Sequence, residues 1–334
     1  MSTRVPVIFG AGSFGNPNTN TPRIHTLAES QEVVDIVLSH GIRAFDTSRF
    51  YGLGSSEEFL GKLDLKGSTV DTKIYPIEPG YFAPTNLRAV FQQSLKALGD
   101  HKVRVFYLHF PDRSAQQASF EDILREVNEF HKEGLIEEFG LSNFFSWEVA
   151  EFVCIARHNG WIQPTVYQGR YNAIERIVET ELMPCLKKYG IRFFAYSPLA
   201  GGMLVGKNLT PDKFEYSSGS RFDPKASSLA KVFTAHYEPL WPVLRELKLT
   251  LDNIGISMPQ AAYRWLQHHS ALGPRDAMML GASSVSQVEP NLKDCEAGPL
   301  PEHVLKVLDE AWEKAKGSSG HYAAATQRTL APLA

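Results

Sequence analysis

Four residues of this 334-residue chain carry the side chains of a proton-coupled carbonyl reaction: Asp46, Tyr51, Lys73 and His109. A carbonyl that accepts hydride develops alkoxide character and needs a proton delivered within the same site. A phenol, with a reference pKa near ~10, is protonated at neutral pH but donates reluctantly. An ammonium beside it, from Lys73, would stabilise the phenolate and lower that pKa. Asp46 would hold Lys73 charged and oriented, and His109 would donate to the carbonyl oxygen and fix its approach. Each residue alone has a plainer reading. Tyr51 could stack in a loop, Asp46 could cap a turn, and His109 could be a satisfied core histidine.

What lifts the set is where the surrounding elements put it. Short β-rich runs recur at 5–9, 43–46, 70–74, 104–109, 138–141, 165–168, 192–196 and 278–281. Amphipathic stretches at 28–39, 85–98, 119–132, 147–158, 176–188 and 258–269 lie between them. Leu95 with Leu98, and Ile123, Leu124, Val127 and Phe130, recur every three to four residues, as a helix covering a sheet requires. Such alternation predicts an α/β fold, a (β/α)8 TIM barrel, with an open doubly wound sheet as the alternative. A single domain is expected over 1–322, followed by a flexible tail, 323–334. Barrel chemistry sits at the carboxyl ends of the strands. Read in order, those ends are Asp46, Lys73, His109, Ser142-Asn143, Gln168, Tyr196-Ser197 and Ser283-Ser284. Tyr51 follows Asp46 in the loop "FDTSRFYGLGSSEEFLG", ahead of a helix expected near Ser55-Ser56.

Composition removes several alternatives. The net charge is −3 with no long basic block, which argues against a nucleic-acid or membrane-surface partner. The three cysteines, Cys154, Cys185 and Cys295, are scattered without metal-type spacing, as suits a reducing compartment, and no metal is expected. No signal-like start and no run of ~20 apolar residues occurs, so a cytoplasmic protein is expected. The sequon Asn208-Leu209-Thr210 should then be inert.

Two glycine patterns are decoys. Gly10, Gly12 and Gly15 match G-x-G-x-x-G, but they run into Asn16-Pro17-Asn18-Thr19-Asn20-Thr21-Pro22, a loop where a Rossmann helix should start. Gly201, Gly206 and Lys207 match G-x-x-x-x-G-K, yet Asn208 stands where a P-loop needs Ser or Thr for magnesium.

The blocks "FDTSRFYG", "DTKI", "YLHFPD", "FGLSNF", "PTVYQGRYNAIERIVETELMPCL", "YSPLAGGMLVGK" and "LGASSVSQVEPNL" occur in this order. From about Phe9 to Tyr322 the chain resembles the aldo-keto reductases, most closely the aflatoxin-aldehyde-reductase-like subgroup. The resemblance implies Asp46, Tyr51, Lys73 and His109 as a catalytic tetrad with Tyr51 as general acid. It also implies NADPH/NADP+ held across the barrel mouth without a Rossmann fold. Ser142, Asn143 and Gln168 would take the nicotinamide carboxamide and Tyr196 would stack beneath the ring. Gly12 and Ser13 would shape the exit of the first strand beside the cofactor, where a glycine lets backbone approach closely. Ser197, Leu199, Gly201 and Lys207 would line the pyrophosphate. Arg221, Ser283, Gln287 and Asn291 would surround the adenosine end and favour NADPH over NADH. Ser283 and Gln287 could also cap the helix after "GASS".

Substrate choice is written less clearly. Members of the subgroup typically end soon after Tyr-Phe-Arg, where this chain has His321-Tyr322-Ala323-Ala324, so that anion contact is expected to be lost. Arg170, where the subgroup commonly has methionine, or Arg49 could restore a positive charge. Phe50, Phe110, Phe144 and Trp241 are candidate pocket walls, and 225–250 reads as an inserted helical segment near the mouth. The expected activity is NADPH-dependent reduction of aldehydes, extending to ketones or dicarbonyls. The alternative is a cofactor-binding regulatory subunit resembling channel-associated β proteins. Nothing resembling their long N-terminal segment precedes the first strand, which favours the enzyme. The subgroup also implies a homodimer.

Overall fold

A computed structural model describes residues 3–207, 209, 216, 218, 220, 222–225, 227 and 229–323. Its frame is a closed barrel of eight parallel strands in sequential order. They are β1 (Val7–Gly10), β2 (Ala44–Asp46), β3 (Thr69–Ile74), β4 (Val103–Leu108), β5 (Ile136–Ser142), β6 (Pro164–Arg170), β7 (Arg192–Tyr196) and β8 (Ala277–Leu280). β8 returns to β1 through the pairs Val7–Met278, Ile8–Met279 and Phe9–Leu280, which excludes the open sheet. Strands covered by helices outside and by packed side chains within are buried on nearly every residue; β3 is buried along Val70–Ile74 although it carries Asp71, Thr72 and Lys73.

The outer layer is formed by α1 (Leu27–Ser39), α2 (Ser55–Leu60), α3 (Pro84–Leu98), α4 (Phe120–Lys132), α5 (Ser146–Asn159), α6 (Leu182–Tyr189), α7 (Ala230–Tyr237), α8 (Trp241–Ile254), α9 (Met258–His268), α10 (Val288–Glu296) and α11 (Glu302–Ala315). Polar side chains start several of them. Thr26 accepts from the Glu29 N–H, Ser119 from Asp122 and Ser257 from Gln260. The helix expected over 176–188 begins only at Leu182, after a 3-10 turn at Ile177–Glu179. Pro184 explains the shift, because a proline without N–H is tolerated in a first helical turn and not in the interior. The stretch 225–250 resolves into α7 and α8, α10 is the helix expected after "GASS", and α11 adds one beyond those expected.

Two apolar bodies hold the barrel. The larger fills the space between strands and helices, with Phe91, Phe106 and Phe130 in mutual ring contact. The smaller fills the barrel bore with Ile8, Val105, Tyr107, Val166, Phe194, Ala277 and Met279. Gly140 makes room for Tyr107, since a β-carbon there would lie 2.2 Å from its ring. Phe144, expected at the pocket, belongs instead to the outer core against Phe120 and Phe152. Trp241 also packs on that core and not on the cavity, because it starts α8, the helix that packs on α11. Residues 324–334 of the expected tail, with Arg221 and Asn208, lie outside the described residues.

Candidate active site

The strand ends open on a cavity of about 880 Å³, lined among others by Asp46, Tyr51 and His109. Lys73 lies one shell deeper and is wholly buried. Its Nζ donates to Asp46 Oδ2 at 2.5 Å and to the Thr47 carbonyl at 2.8 Å, and it stands 5.3 Å from the Tyr51 ring centroid. Asp46 accepts on its other oxygen from Gln168 Nε2 at 2.9 Å. One carboxylate therefore joins the cation of β3 to the amide of β6 across the barrel. A buried charge pair is tolerable only when such further hydrogen bonds satisfy it.

Tyr51 is delivered by the turn after β2. The segment Tyr51–Gly54 is a short 3-10 stretch in which Gly52 and Leu53 have φ of 59° and 54°. Asn20 holds the turn from the opposite loop, donating to the Phe50 carbonyl and accepting from the Gly52 N–H, both at 2.8 Å. Gly12 flanks the tyrosine, and a β-carbon there would stand 3.1 Å from its ring. His109 follows β4, one residue past its last member. The rings of Tyr51, Tyr75 and Phe50 present edge contacts to its imidazole at 5.6, 5.6 and 6.5 Å. Burial, then the Lys73 ammonium, hold the imidazole well below its ordinary value of 6.5, so it is neutral at physiological pH. Neutral imidazole can donate a hydrogen bond or accept one, and cannot act as a ready acid.

Most of the other expected residues meet at the same cavity. Gly12, Ser13, Asn143, Gln168, Tyr196, Ser197, Leu199, Gly201, Lys207, Ser283, Gln287 and Asn291 line it. Ser142 does not, yet its hydroxyl accepts from Asn143 Nδ2 at 2.9 Å. The Asn143 amide also donates to the His109 carbonyl and accepts from the Tyr196 hydroxyl, at 2.9 and 2.8 Å. Asn143, Ser197 and Ala200 hold φ of 66°, 57° and 48°, left-handed values that non-glycine residues adopt rarely. Three such residues on one rim mark the place where the fold tolerates strain. Ser283 does not cap the following turn. Instead Gln287 Oε1 accepts from the Ser283 N–H and hydroxyl, at 2.9 and 3.1 Å; Ser284 occupies the cap position of the 3-10 turn Val285–Gln287 and Gln287 that of α10, neither through a side-chain hydrogen bond. The G-x-G-x-x-G stretch makes only a 3-10 turn, Ala11–Ser13, and no helix follows before Leu27. The G-x-x-x-x-G-K stretch is a 3-10 segment, Ala200–Val205.

The substrate side departs from expectation in its charges. Phe50 and Phe110 line the cavity as expected, joined through Tyr75 at ring distances of 5.0 and 5.3 Å. Tyr75 is a residue the sequence reading passed over, although it directly follows a strand end. Arg170 also lines the cavity, but its charge is met by Glu175, 3.1 Å from Nε, and His236 Nε2 lies 2.7 Å from both. Burial would push the Glu175 carboxyl up; the Arg170 charge and the His236 and Asn172 contacts outweigh it and bring the value to about 2. Arg170 therefore supplies no net positive charge. Arg49 turns away from the cavity to the buried Glu57 at 2.9 Å, so it restores none either.

The dinucleotide implied by the sequence can be tested against this geometry. The Ser13 and Ser220 hydroxyls are buried at the cavity wall without a hydrogen-bond partner among the described residues. Orphaned donors of this kind, with Lys207 and the amides of Gln287 and Asn291 on the same wall, are the donor set that ribose and phosphate oxygens need. The residues fit the group.

The aldo/keto reductase family model matches residues 6–313. The chain is 39% identical over 298 residues to an aldo-keto reductase of Pseudocercospora fijiensis, covering 87% of this chain and 99% of that one. It is 41% identical over 297 residues to aldo-keto reductase family 7 member A3 of Homo sapiens, covering 85% and 88%. Identity is also 41% over 297 residues to aflatoxin B1 aldehyde reductase member 2 of Rattus norvegicus, covering 85% and 80%.

Proposed function

This chain belongs to the aldo/keto reductase family and is an oxidoreductase of carbonyl compounds, and from that premise we propose that it reduces aldehydes, and ketones or dicarbonyls, to alcohols with NADPH, Tyr51 acting as general acid. The observation that carries the reading is the buried Asp46–Lys73 pair beneath Tyr51 at the open end of the barrel. Hydride is the chemistry that the reduced dinucleotide supplies when bound. Tyr51 gives its phenolic proton to the carbonyl oxygen as negative charge develops there. The Lys73 ammonium, fixed by Asp46 and the Thr47 carbonyl, stabilises the phenolate that remains. Neutral His109 orients the carbonyl through a hydrogen bond, and the rings of Phe50, Tyr75 and Phe110 exclude water from that side.

Asn143, Ser142, Gln168 and Tyr196 would hold the nicotinamide end, with Gly12 and Ser13 beside it. Ser197, Leu199, Gly201 and Lys207 would hold the pyrophosphate, and Ser283, Gln287 and Asn291 the adenosine end. Arg221, which the sequence reading adds to that end, supports NADPH over NADH through the affinity of guanidinium for phosphate. In the same reading the protein is cytosolic, on the strength of its composition, and homodimeric, on the strength of the subgroup it resembles. Light scattering in solution checks the second point, and a monomer would contradict it.

The test is NADPH binding by fluorescence quenching, followed by turnover of nitrobenzaldehyde and phenylglyoxal. Binding with turnover is expected. Absence of binding contradicts the cofactor assignment. Binding without turnover on any aldehyde supports the regulatory-subunit reading instead.

A further inference from the structure

Ser48 lies two residues beyond Asp46 and is wholly buried. Its hydroxyl oxygen is 3.0 Å from His109 Nδ1 and 3.0 Å from the Lys73 carbonyl, and it accepts from the Phe50 N–H at 3.2 Å. One hydroxyl proton cannot serve two acceptors. If it points to Lys73, His109 must carry its own proton on Nδ1 and show the cavity a bare Nε2. If it points to His109, Nδ1 is the acceptor and Nε2 carries the proton toward the cavity. The Lys73 carbonyl already receives the Arg49 N–H at 3.0 Å, whereas Ser48 is the hydrogen-bond partner of Nδ1 among the described residues. The rings of Phe50, Tyr51 and Tyr75 stand edge-on to the imidazole, which fixes its plane and does not by itself set its tautomer.

We propose that Ser48 is a positioning residue that sets the tautomer of His109, its hydroxyl donating to Nδ1 so that Nε2–H faces the cavity as a donor to the substrate oxygen. The partner of one ring nitrogen decides what the other can do. A reductase needs a donor at that point, so the proposal rests on the reductase reading. It places a requirement on the residue two beyond Asp46 that neither charge nor packing imposes: a hydroxyl.

The test has two readouts. Nitrogen chemical shifts of labelled histidine, with His109 identified among the 11 histidines by its loss in His109→Gln, report the tautomer directly. Wild type should show Nε2 protonated and Nδ1 bare, and Nδ1 protonated would overturn the proposal. In turnover, Ser48→Ala should lower kcat roughly 10- to 100-fold, at most the low end of the ~10²–10⁴-fold that a placed proton donor contributes, since His109 itself stays in place, with NADPH affinity unchanged. Ser48→Thr, which keeps the hydroxyl, should recover most of the loss. An unchanged kcat in Ser48→Ala, or equal losses in both variants, would overturn it. If Ser48→Ala does not fold, the wild-type spectrum and Ser48→Thr still decide. A wild-type protein with the expected tautomer that reduces no aldehyde contradicts the reductase reading and leaves the Ser48 assignment standing.

Discussion

β3 carries two ion pairs two residues apart, and they stand in opposite surroundings. Asp71 sits near the strand's start and takes Arg104 of β4 through two hydrogen bonds, at 2.9 and 2.6 Å. Lys73 sits near the strand's end and takes Asp46 of β2. The lower pair closes on itself. Its guanidinium lies 5.9 Å from the Phe194 ring, and a second arginine, Arg192, lies over the same ring while paired with Glu138. Burial pushes the Asp71 carboxyl above its ordinary value, and the Arg104 charge only partly offsets this. The upper pair is open. It stands beneath Tyr51 and beside a cavity, and its carboxylate reaches on to Gln168. The difference teaches that a buried pair is not in itself a catalytic signal. What matters is whether its cation faces a group that changes charge.

Substitution of each cation separates the two roles most sharply. Lys73→Met and Arg104→Met each leave an unpaired buried carboxylate, and each should lower stability by about 3–5 kcal/mol in denaturant unfolding. Only Lys73→Met should also abolish carbonyl reduction per folded molecule, by roughly 10²–10⁴-fold. Equal loss of activity in both would dissolve the distinction.

A smaller effect comes from pH. His109 has a folded value well below that of the unfolded chain, so the unfolded state binds more protons between the two. The contribution is therefore fully present above about 6.5 and is lost as pH falls from there toward the folded value, with a slope of at most about 1.4 kcal/mol per unit. Thermal unfolding of wild type and His109→Gln between neutral and mildly acid pH should show the wild type losing more. Parallel curves would mean that His109 is not held neutral. Glu175, brought to about 2, follows the same sign in a lower window. Its contribution should persist through that range and disappear only as pH falls from about 4.3 toward the folded value.

The smallest change tests Tyr51 from its flank. Gly12→Ala places a β-carbon 3.1 Å from the ring, tight enough to move it by a few tenths of an ångström. A severalfold loss of kcat with intact folding is expected, since misplacement by ~1 Å can cost about 10²-fold. No change in kcat would show that Tyr51 tolerates movement that a general acid should not.

Much of the rim was legible because a barrel puts every strand end in one place. Asp46 and Tyr196 are each the last residue of a strand, Gln168 stands two residues before the end of β6, which runs on past the expected 165–168, and the register of one strand against the next does the rest. Strand β7 has the bounds the residues suggest, since Gly190 ends α6 and Tyr196 closes the apolar run. Contacts between distant segments left no such trace. Glu175, which neutralises Arg170, stands close by in the chain, but nothing local announces that it will fold back onto the guanidinium or that His236 of α7, 66 residues away, will join the contact. Ser48 likewise reads as a small loop residue until β4 brings His109 to it, 61 residues on. α11 is a different case. Val304, Leu308, Ala311 and Ala315 carry helical spacing in plain view, and only the assumption that the alternation ends with β8 hides it.

One measurement bears most directly on Tyr51 as the acid of this site: NADPH binding and aldehyde turnover of Tyr51→Phe beside wild type, in the same cuvette. The expected result is unchanged fluorescence quenching by NADPH with turnover reduced by roughly 10²-fold or more. Turnover at the wild-type rate, or equal loss of binding and turnover, would contradict it.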